Sequence, residues 1–324
     1  MNIRKKSIYP AIILLMLLPL LFSCSRDQTG FSHTSNGSIV RNTPEPYYSF
    51  TDALDRTVVL EKAPRRIISL LGSYAETWLL AGGELVGVTD DVISERHLAV
   101  PEGTTVIGTV KSPNLEKLLE LDPDFVLLST DIEGHVAASR ILEQAGIPYA
   151  CFKVEQFEDY LRMLEICTDI TGRKDLYGRY GLDVQSQIRD TLSKVVSSGQ
   201  KPTVLFVRAL SGKAKAKADD NMTCRMLEDL GTDNIARRHE SLLDELTMEA
   251  IIAEDPDFIF VVPMGNETKA LQSMHDIFEL NPAWAGLTAV KEGRYIVLPK
   301  DLFHYKPNAR WGESYEYLTR IIYG

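Results

Sequence analysis

From about residue 50 onward, short unbroken apolar runs alternate with stretches in which apolar residues recur every three or four positions. The runs are Arg66-Ile67-Ile68-Ser69-Leu70-Leu71, Leu85-Val86-Gly87-Val88, Phe125-Val126-Leu127-Leu128, Ile147-Pro148-Tyr149-Ala150, Thr203-Val204-Leu205-Phe206-Val207, Phe258-Ile259-Phe260-Val261-Val262 and Tyr295-Ile296-Val297-Leu298. Continuous apolar runs of this length suit strands of a parallel sheet covered on both faces. Between them lie helical patterns. One opens at Ser73-Tyr74-Ala75-Glu76, which has capping-box spacing, and stops at Gly82-Gly83; another runs from about Val136 to Ala145 and stops at Gly146. From Phe157 to Ser197 the pattern is almost purely helical, with Leu161, Leu164, Ile166 and Ile170 among its apolar positions and Gly172 as the one obvious interruption. The fold class expected is therefore α/β: two doubly wound lobes over residues 50–155 and 199–324, joined by a single long helix over 156–198.

A repeat supports that division. Asn114-Leu115-Glu116-Lys117-Leu118-Leu119-Glu120-Leu121-Asp122-Pro123-Asp124-Phe125-Val126 in the first lobe matches Thr247-Met248-Glu249-Ala250-Ile251-Ile252-Ala253-Glu254-Asp255-Pro256-Asp257-Phe258-Ile259 in the second. In each, a Glu lies seven residues before the Pro of an Asp-Pro-Asp-Phe passage from helix to strand. One such passage is an ordinary way to end a helix. Two with matching flanks point to lobes of related structure.

The first 49 residues read differently. Arg4, Lys5 and Lys6 precede an apolar run from Ile8 to Phe22, shorter than the roughly 20 residues of a membrane span and suited to the core of an export signal. It ends in Leu21-Phe22-Ser23-Cys24, which resembles a bacterial lipobox, so residues 1–23 are expected to be a lipoprotein signal peptide and Cys24 the lipidated residue. Residues 24–49 are rich in Ser, Thr, Asn, Gly and Pro and are expected to form a flexible tether. The chain is thereby expected at the cell membrane, lipid-anchored on the extracytoplasmic face. The formal net charge of −10 becomes −13 when residues 1–23, with three basic and no acidic side chains, are removed; that excess argues against a nucleic-acid partner. Cys151, Cys167 and Cys224 show no zinc or CxxC spacing and lie in apolar segments, as buried free thiols do.

The body of the chain, about Thr51 to Tyr323, resembles the substrate-binding proteins of iron–siderophore, haem and vitamin B12 ABC importers. The likeness is carried by Asp55-Arg56-Thr57-Val58-Val59-Leu60, Pro64-Arg65-Arg66-Ile67-Ile68-Ser69-Leu70, both Asp-Pro-Asp-Phe segments and Trp284-Ala285-Gly286-Leu287-Thr288-Ala289-Val290-Lys291-Glu292-Gly293-Arg294. The resemblance implies a ligand cleft between the lobes, an ABC permease as partner, a monomer and no resident cofactor. It also gives Glu116 and Glu249 the role of permease-docking residues, one per lobe. Taken alone, each is merely an acid in a helix first turn.

Ligand groups are expected at the carboxyl ends of the parallel strands. That criterion selects Gly72, Ser73, Tyr74, Val110, Lys111, Thr130 and Asp131 in the first lobe, and Arg208, Met264 and the segment Phe303, His304, Tyr305 and Lys306 in the second. Ser73 could equally only cap its helix, and the two tyrosines could be core aromatics. Arg208 follows an otherwise apolar strand, where a guanidinium suits an anionic chelate. Lys213, Lys215 and Lys217 alternate beside it, as in a solvated hairpin or loop. The six histidines have no metal-ligand spacing, so no bare metal site is expected, although His304, Tyr305 or Tyr74 could ligate a haem iron. The expected ligand is a ferric siderophore first, haem second and a corrinoid third. The rival class, a lipid-anchored esterase-like enzyme, would need a Gly-x-Ser-x-Gly elbow; Leu71-Gly72-Ser73-Tyr74-Ala75 lacks its second glycine.

Overall fold

The computed structural model describes residues 45–196, 199, 201–239, 241–244 and 246–324. The signal segment, Cys24 and the tether up to residue 44 lie outside the described residues. The strands are β1 (Tyr48–Thr51), β2 (Thr57–Leu60), β3 (Ile67–Ser69), β4 (Gly87–Val88), β5 (Thr105–Val106), β6 (Phe125–Ser129), β7 (Tyr149–Phe152), β8 (Thr203–Leu210), β9 (Lys213–Ala216), β10 (Asp233–Asn234), β11 (Phe258–Pro263) and β12 (Tyr295–Val297). The helices that position the site are α1 (Gly72–Leu80), α2 (Leu115–Glu120), α3 (Glu133–Gln144), α4 (Phe157–Thr171), α5 (Asp183–Val196), α6 (Met248–Glu254) and α7 (Trp311–Tyr323).

Each expected apolar run contains a strand. The first lobe has a parallel sheet in the order β5-β4-β3-β6-β7. The second has the parallel order β10-β8-β11-β12, with β9 added antiparallel to β8. The period-2 geometry of a strand explains why apolar residues fill both sets of alternate positions in these runs. In β6, Phe125 and Leu127 enter a central core while Val126 and Leu128 enter an outer one. In β8, Val204 and Phe206 face the central core, and Leu205, Val207 and Ala209 face an outer core of the second lobe. The central core spans both lobes and takes in Phe157, Tyr160, Trp311 and Tyr315. Every strand residue of β6 and β11 is buried, and each such large side chain contributes about 1.5–3 kcal/mol.

Three boundaries differ from the sequence reading. Tyr48 and Ser49, expected as the end of the tether, are strand residues paired with Leu60 and Val59. The helical stretch 156–198 divides at Gly172, whose φ of 73° ends α4 in a left-handed turn. α4 stays in the first lobe, hydrogen-bonded through Tyr48 Oη to Asp169 and through Thr171 Oγ1 to the Ala81 carbonyl. The single connecting helix is continuous from Lys174–Tyr177 through a π turn at Gly178–Leu182 into α5, a span of roughly 30 Å. It lies close against α4 at Gly181, where a Cβ would meet Leu161 Cδ1 at 2.8 Å. Finally, α1 does not use its capping box. It begins at Gly72, whose N–H donates to Asp91 Oδ2 at 2.7 Å, while Glu76 turns away to Arg96 and Asn308. A carboxylate from a neighbouring loop does the work the local sequence suggested for Ser73 and Glu76.

The repeat is structural. Asn114 Oδ1 caps α2 by accepting from Lys117 N at 3.0 Å, and Thr247 Oγ1 caps α6 by accepting from Ala250 N at 3.4 Å. Asp122 and Asp255 both take positive φ, 45° and 37°. Asp124 then accepts the Arg65 and Arg66 amides entering β3, and Asp257 accepts the Thr203 amide entering β8. The second Asp of each Asp-Pro-Asp-Phe thus ties its own strand to the neighbouring one.

Candidate functional site: the interlobe cleft

Strand order reverses direction between β3 and β6 in one lobe and between β8 and β11 in the other. Carboxyl ends of strands at such switch points leave an open crevice. Both crevices face one cleft of about 1100 Å³, lined by residues 71–155 of the first lobe and 208–306 of the second. That volume is large for a small metabolite and ample for a metal chelate.

Of the expected residues, Ser73, Val110, Lys111, Asp131, Arg208, Met264, Phe303, His304, Tyr305 and Lys306 line this cleft. Gly72, Tyr74 and Thr130 do not. Tyr74 is 1% exposed, donates its hydroxyl to the Phe152 carbonyl at 3.0 Å and meets the Phe152 ring edge-on, so it is a core aromatic. Thr130 hydrogen-bonds Asp131, and it is Asp131 that lines the cleft. Phe303 contributes only floor; its ring is buried and its carbonyl accepts from Thr223 Oγ1.

The two walls carry opposite charge. The first lobe presents Asp90, Asp91, Glu95, Asp131 and Glu155 against Arg96 and Lys111; the second presents Arg208, Lys213 and Lys306 against Asp220 alone. Arg208 is half-buried at the end of β8, and its Nε and Nη2 approach the Met264 sulfur at 3.4 and 3.3 Å. A thioether is a weak acceptor. Burial lowers its pKa against the opposing charge of Asp220, and among the described residues no carboxylate forms an ion pair with this guanidinium. The Arg208 side chain shares a face with Lys215 across the β8–β9 hairpin, whose turn is Ser211-Gly212. Lys213 and Lys215 therefore lie on the exposed face of β9, with Ala214 and Ala216 turned to the core, and Lys217 follows the strand's end. Lys306 is half-buried, and its burial likewise lowers its pKa, with Asp131 and Glu155 opposing.

The His304 ring lies 4.7 Å from that of Tyr305, tilted by 36°, and burial beside Arg208, Lys300 and Lys306 pushes its pKa down to about 4. It is neutral at pH 7, with a ring nitrogen free to accept or ligate. Arg96 is a strut between lobes. It pairs with Glu76, donates to the Lys306 carbonyl at 3.0 Å and is pushed down to about 10 by burial. Asn308, at φ 51°, donates to the Ser73 carbonyl and to Glu76 Oε2. His135 acts behind the first wall: its Nδ1 accepts from Ser129 N at 2.9 Å, and its Nε2 lies 3.1 Å from the Val110 carbonyl. It thereby fixes two cleft-lining loops. Sequence reasoning missed Asp91, Arg96 and His135, whereas Lys306 belongs to the expected 303–306 segment and does line the cleft. Only Asp90-Asp91, directly after a predicted strand, carried a signal that could have been used.

Among the described residues no three His, Cys, Asp or Glu side chains are grouped to hold a metal ion. Cys151, Cys167 and Cys224 are buried and free. Neither Glu116 nor Glu249 lines the cleft. Both are exposed, and neither makes an ion pair or hydrogen bond within the described residues.

Two parallel-sheet lobes around one cleft, bridged by one helix, define a ligand-capturing protein, and residues 67–302 match the model of the periplasmic binding protein family. The chain belongs to that family; it is a substrate-binding transport protein, not an enzyme. It is 25% identical over 278 residues to the uncharacterized ABC transporter substrate-binding lipoprotein YvrC of Bacillus subtilis, covering 84% of each chain. It is 24% identical over 243 residues to the Fe(3+) dicitrate-binding periplasmic protein FecB of Escherichia coli, covering 73% of this chain and 77% of that one. Among solved structures, the periplasmic heme-binding protein RhuT from Roseiflexus sp. RS-1 aligns with a TM-score of 0.65 at 22% identity, over 80% of this chain and 98% of that one.

Proposed function

We propose that this protein is the lipid-anchored, extracytoplasmic binding component of an ABC importer, and that its cleft captures a ferric siderophore as an anionic chelate for delivery to the permease. The observation that carries the ligand class is Arg208: a half-buried guanidinium at a strand end, facing the cleft, whose hydrogen-bond partner among the described residues is a thioether. A cation left without a carboxylate in a site of reduced dielectric is matched by negative charge on a ligand. Lys306 and Lys213 extend the same wall. The Escherichia coli relative is named for a ferric hydroxycarboxylate chelate, which is a ligand of this chemistry. In this reading the iron arrives already coordinated, and the protein binds the chelator's oxygens. Ser73, Lys111, Met264 and Tyr305 complete the contact surface.

His304, neutral and beside Tyr305, keeps haem as the second reading, since an imidazole in that state can ligate iron. Glu116 and Glu249 are assigned to the permease, and Cys24 to the lipid anchor. The test of ligand class is a tryptophan-fluorescence titration of the purified protein with ferric citrate, haemin and cobalamin, in wild type, Arg208→Ala and His304→Ala. Tight ferric citrate binding that Arg208→Ala weakens is the expected result. Tight haemin binding with absorption bands shifted by His304→Ala selects the second reading. Tight binding of cobalamin alone, indifferent to Arg208→Ala, overturns both.

A further inference from the structure

The internal repeat reaches the surface. Three residues after Glu116 and Glu249, at the same place in each copy, stand Leu119 and Ile252, which are 40% and 43% exposed. The residues just before them, Leu118 and Ile251, are 0% and 1% exposed and supply each helix's core contact. Leu119 and Ile252 stand well exposed beside those core contacts, and neither belongs to a packed core. Residues three apart on a helix are surface neighbours, so each lobe sets a free carboxylate beside a bare aliphatic side chain.

Single exposed apolar residues are ordinary. Two at matched positions, each beside a matched acid, are not accounted for by folding. The neighbouring positions of the two helices show what folding alone leaves: exposed Glu120 stands opposite exposed Ala253 in the repeat, and exposed Lys117 opposite the half-buried Ala250. The first Asp of each Asp-Pro-Asp-Phe is also shared, but its left-handed turn explains it. What the two lobes have in common at the surface, beyond the needs of the fold, is the pair acid plus aliphatic.

We infer that Leu119 and Ile252 are contact residues of the permease-docking surface, each entering an apolar recess beside the cationic group that meets Glu116 or Glu249. This rests on the reading of the protein as the binding component of an ABC importer. The partner it fits is a pair of like membrane subunits related by a two-fold axis, one engaging each lobe. An exposed ion pair contributes little net affinity, whereas burial of an aliphatic side chain adds attraction that needs no particular geometry. The acid sets orientation and the aliphatic residue adds hold.

The test uses the full-length protein in the membrane of its own host, with the photocrosslinker p-benzoylphenylalanine placed in turn at positions 116, 119, 252 and, as an exposed control, Val136. Crosslinked partners are identified by mass spectrometry. The inference requires that positions 119 and 252 both capture an integral-membrane ABC subunit and that Val136 does not. It also requires that L119S/I252S lower uptake of iron-55 supplied as ferric citrate by about tenfold or more, with unchanged melting temperature and ferric citrate affinity. Capture from position 116 but not from 119 or 252 overturns the inference and leaves the docking reading standing. Capture from none of the three overturns the docking reading as well. Normal uptake by L119S/I252S overturns the inference even where crosslinks form.

Discussion

Mild acid should loosen the cleft through His135, a residue that touches no ligand. The ring is 1% exposed and joins the Ser129 amide to the Val110 carbonyl, and burial pushes its pKa down to about 4. In the unfolded chain the same imidazole titrates near the ordinary 6.5. Because the folded value is depressed, the unfolded state binds more protons between these two values, and stability falls as pH drops through that window. Going from pH 7 to pH 4.5 costs about 2 kcal/mol from this group alone, a substantial part of a typical domain's stability. His304 adds a slope of the same sign, so the discriminating quantity is a difference between proteins. His135→Gln keeps a donor and an acceptor but cannot titrate. Urea unfolding of wild type and His135→Gln should be compared from pH 7.5 to 4.5. The variant should be less stable at pH 7 by about 1–2 kcal/mol, because its geometry differs from the imidazole's. It should then lose less stability on acidification, so that the two curves converge. Parallel curves across the range would refute the assignment of the slope to His135.

Other perturbations probe other links. Arg208→Ala should weaken binding of ferric citrate by about 10- to 100-fold, the loss of charge-assisted bonds worth about 1.5–3 kcal/mol, while thermal stability stays within a degree or two. Glu116→Lys with Glu249→Lys should abolish uptake in cells yet leave ligand affinity and fold near wild type; lost ligand binding would sink the docking assignment. Asp257→Ala removes the acceptor for the Thr203 amide and hydroxyl, both 2.8 Å away, and should cost about 1–3 kcal/mol in urea unfolding. Cys24→Ala should release the protein from the membrane fraction or leave it unprocessed, and unchanged lipid labelling would contradict the anchor.

The strands were legible because a parallel sheet buried on both faces favours continuous apolar runs, as the fully buried residues 125–128 and 258–262 show. The helix stops at Gly82, Gly146 and Gly172 were legible because each needs a positive φ. Two-residue strands such as β5 and β10 were not, since two residues carry no period. The capping box at Ser73 misled because Asp91, a partner from another loop, takes the helix end. Arg208 stood out as the one charge on an apolar strand. Arg96 and His135 did not, since their meaning lies in contacts across 25 to 210 positions of sequence, among them the bond from Arg96 to the Lys306 carbonyl. Tyr74 and Thr130 fell to the converse error: position at a strand's carboxyl end is not orientation into the cleft.

The claim that the cleft takes an iron chelate on a cationic wall can be put to native mass spectrometry of the protein exported by its own host. The account predicts one adduct per chain whose mass includes a single iron and its chelator, retained by wild type and lost from the Arg208→Ala, Lys306→Ala double variant at equal folding. A wild-type adduct that contains no iron, or an iron adduct that the double variant keeps undiminished, would contradict it.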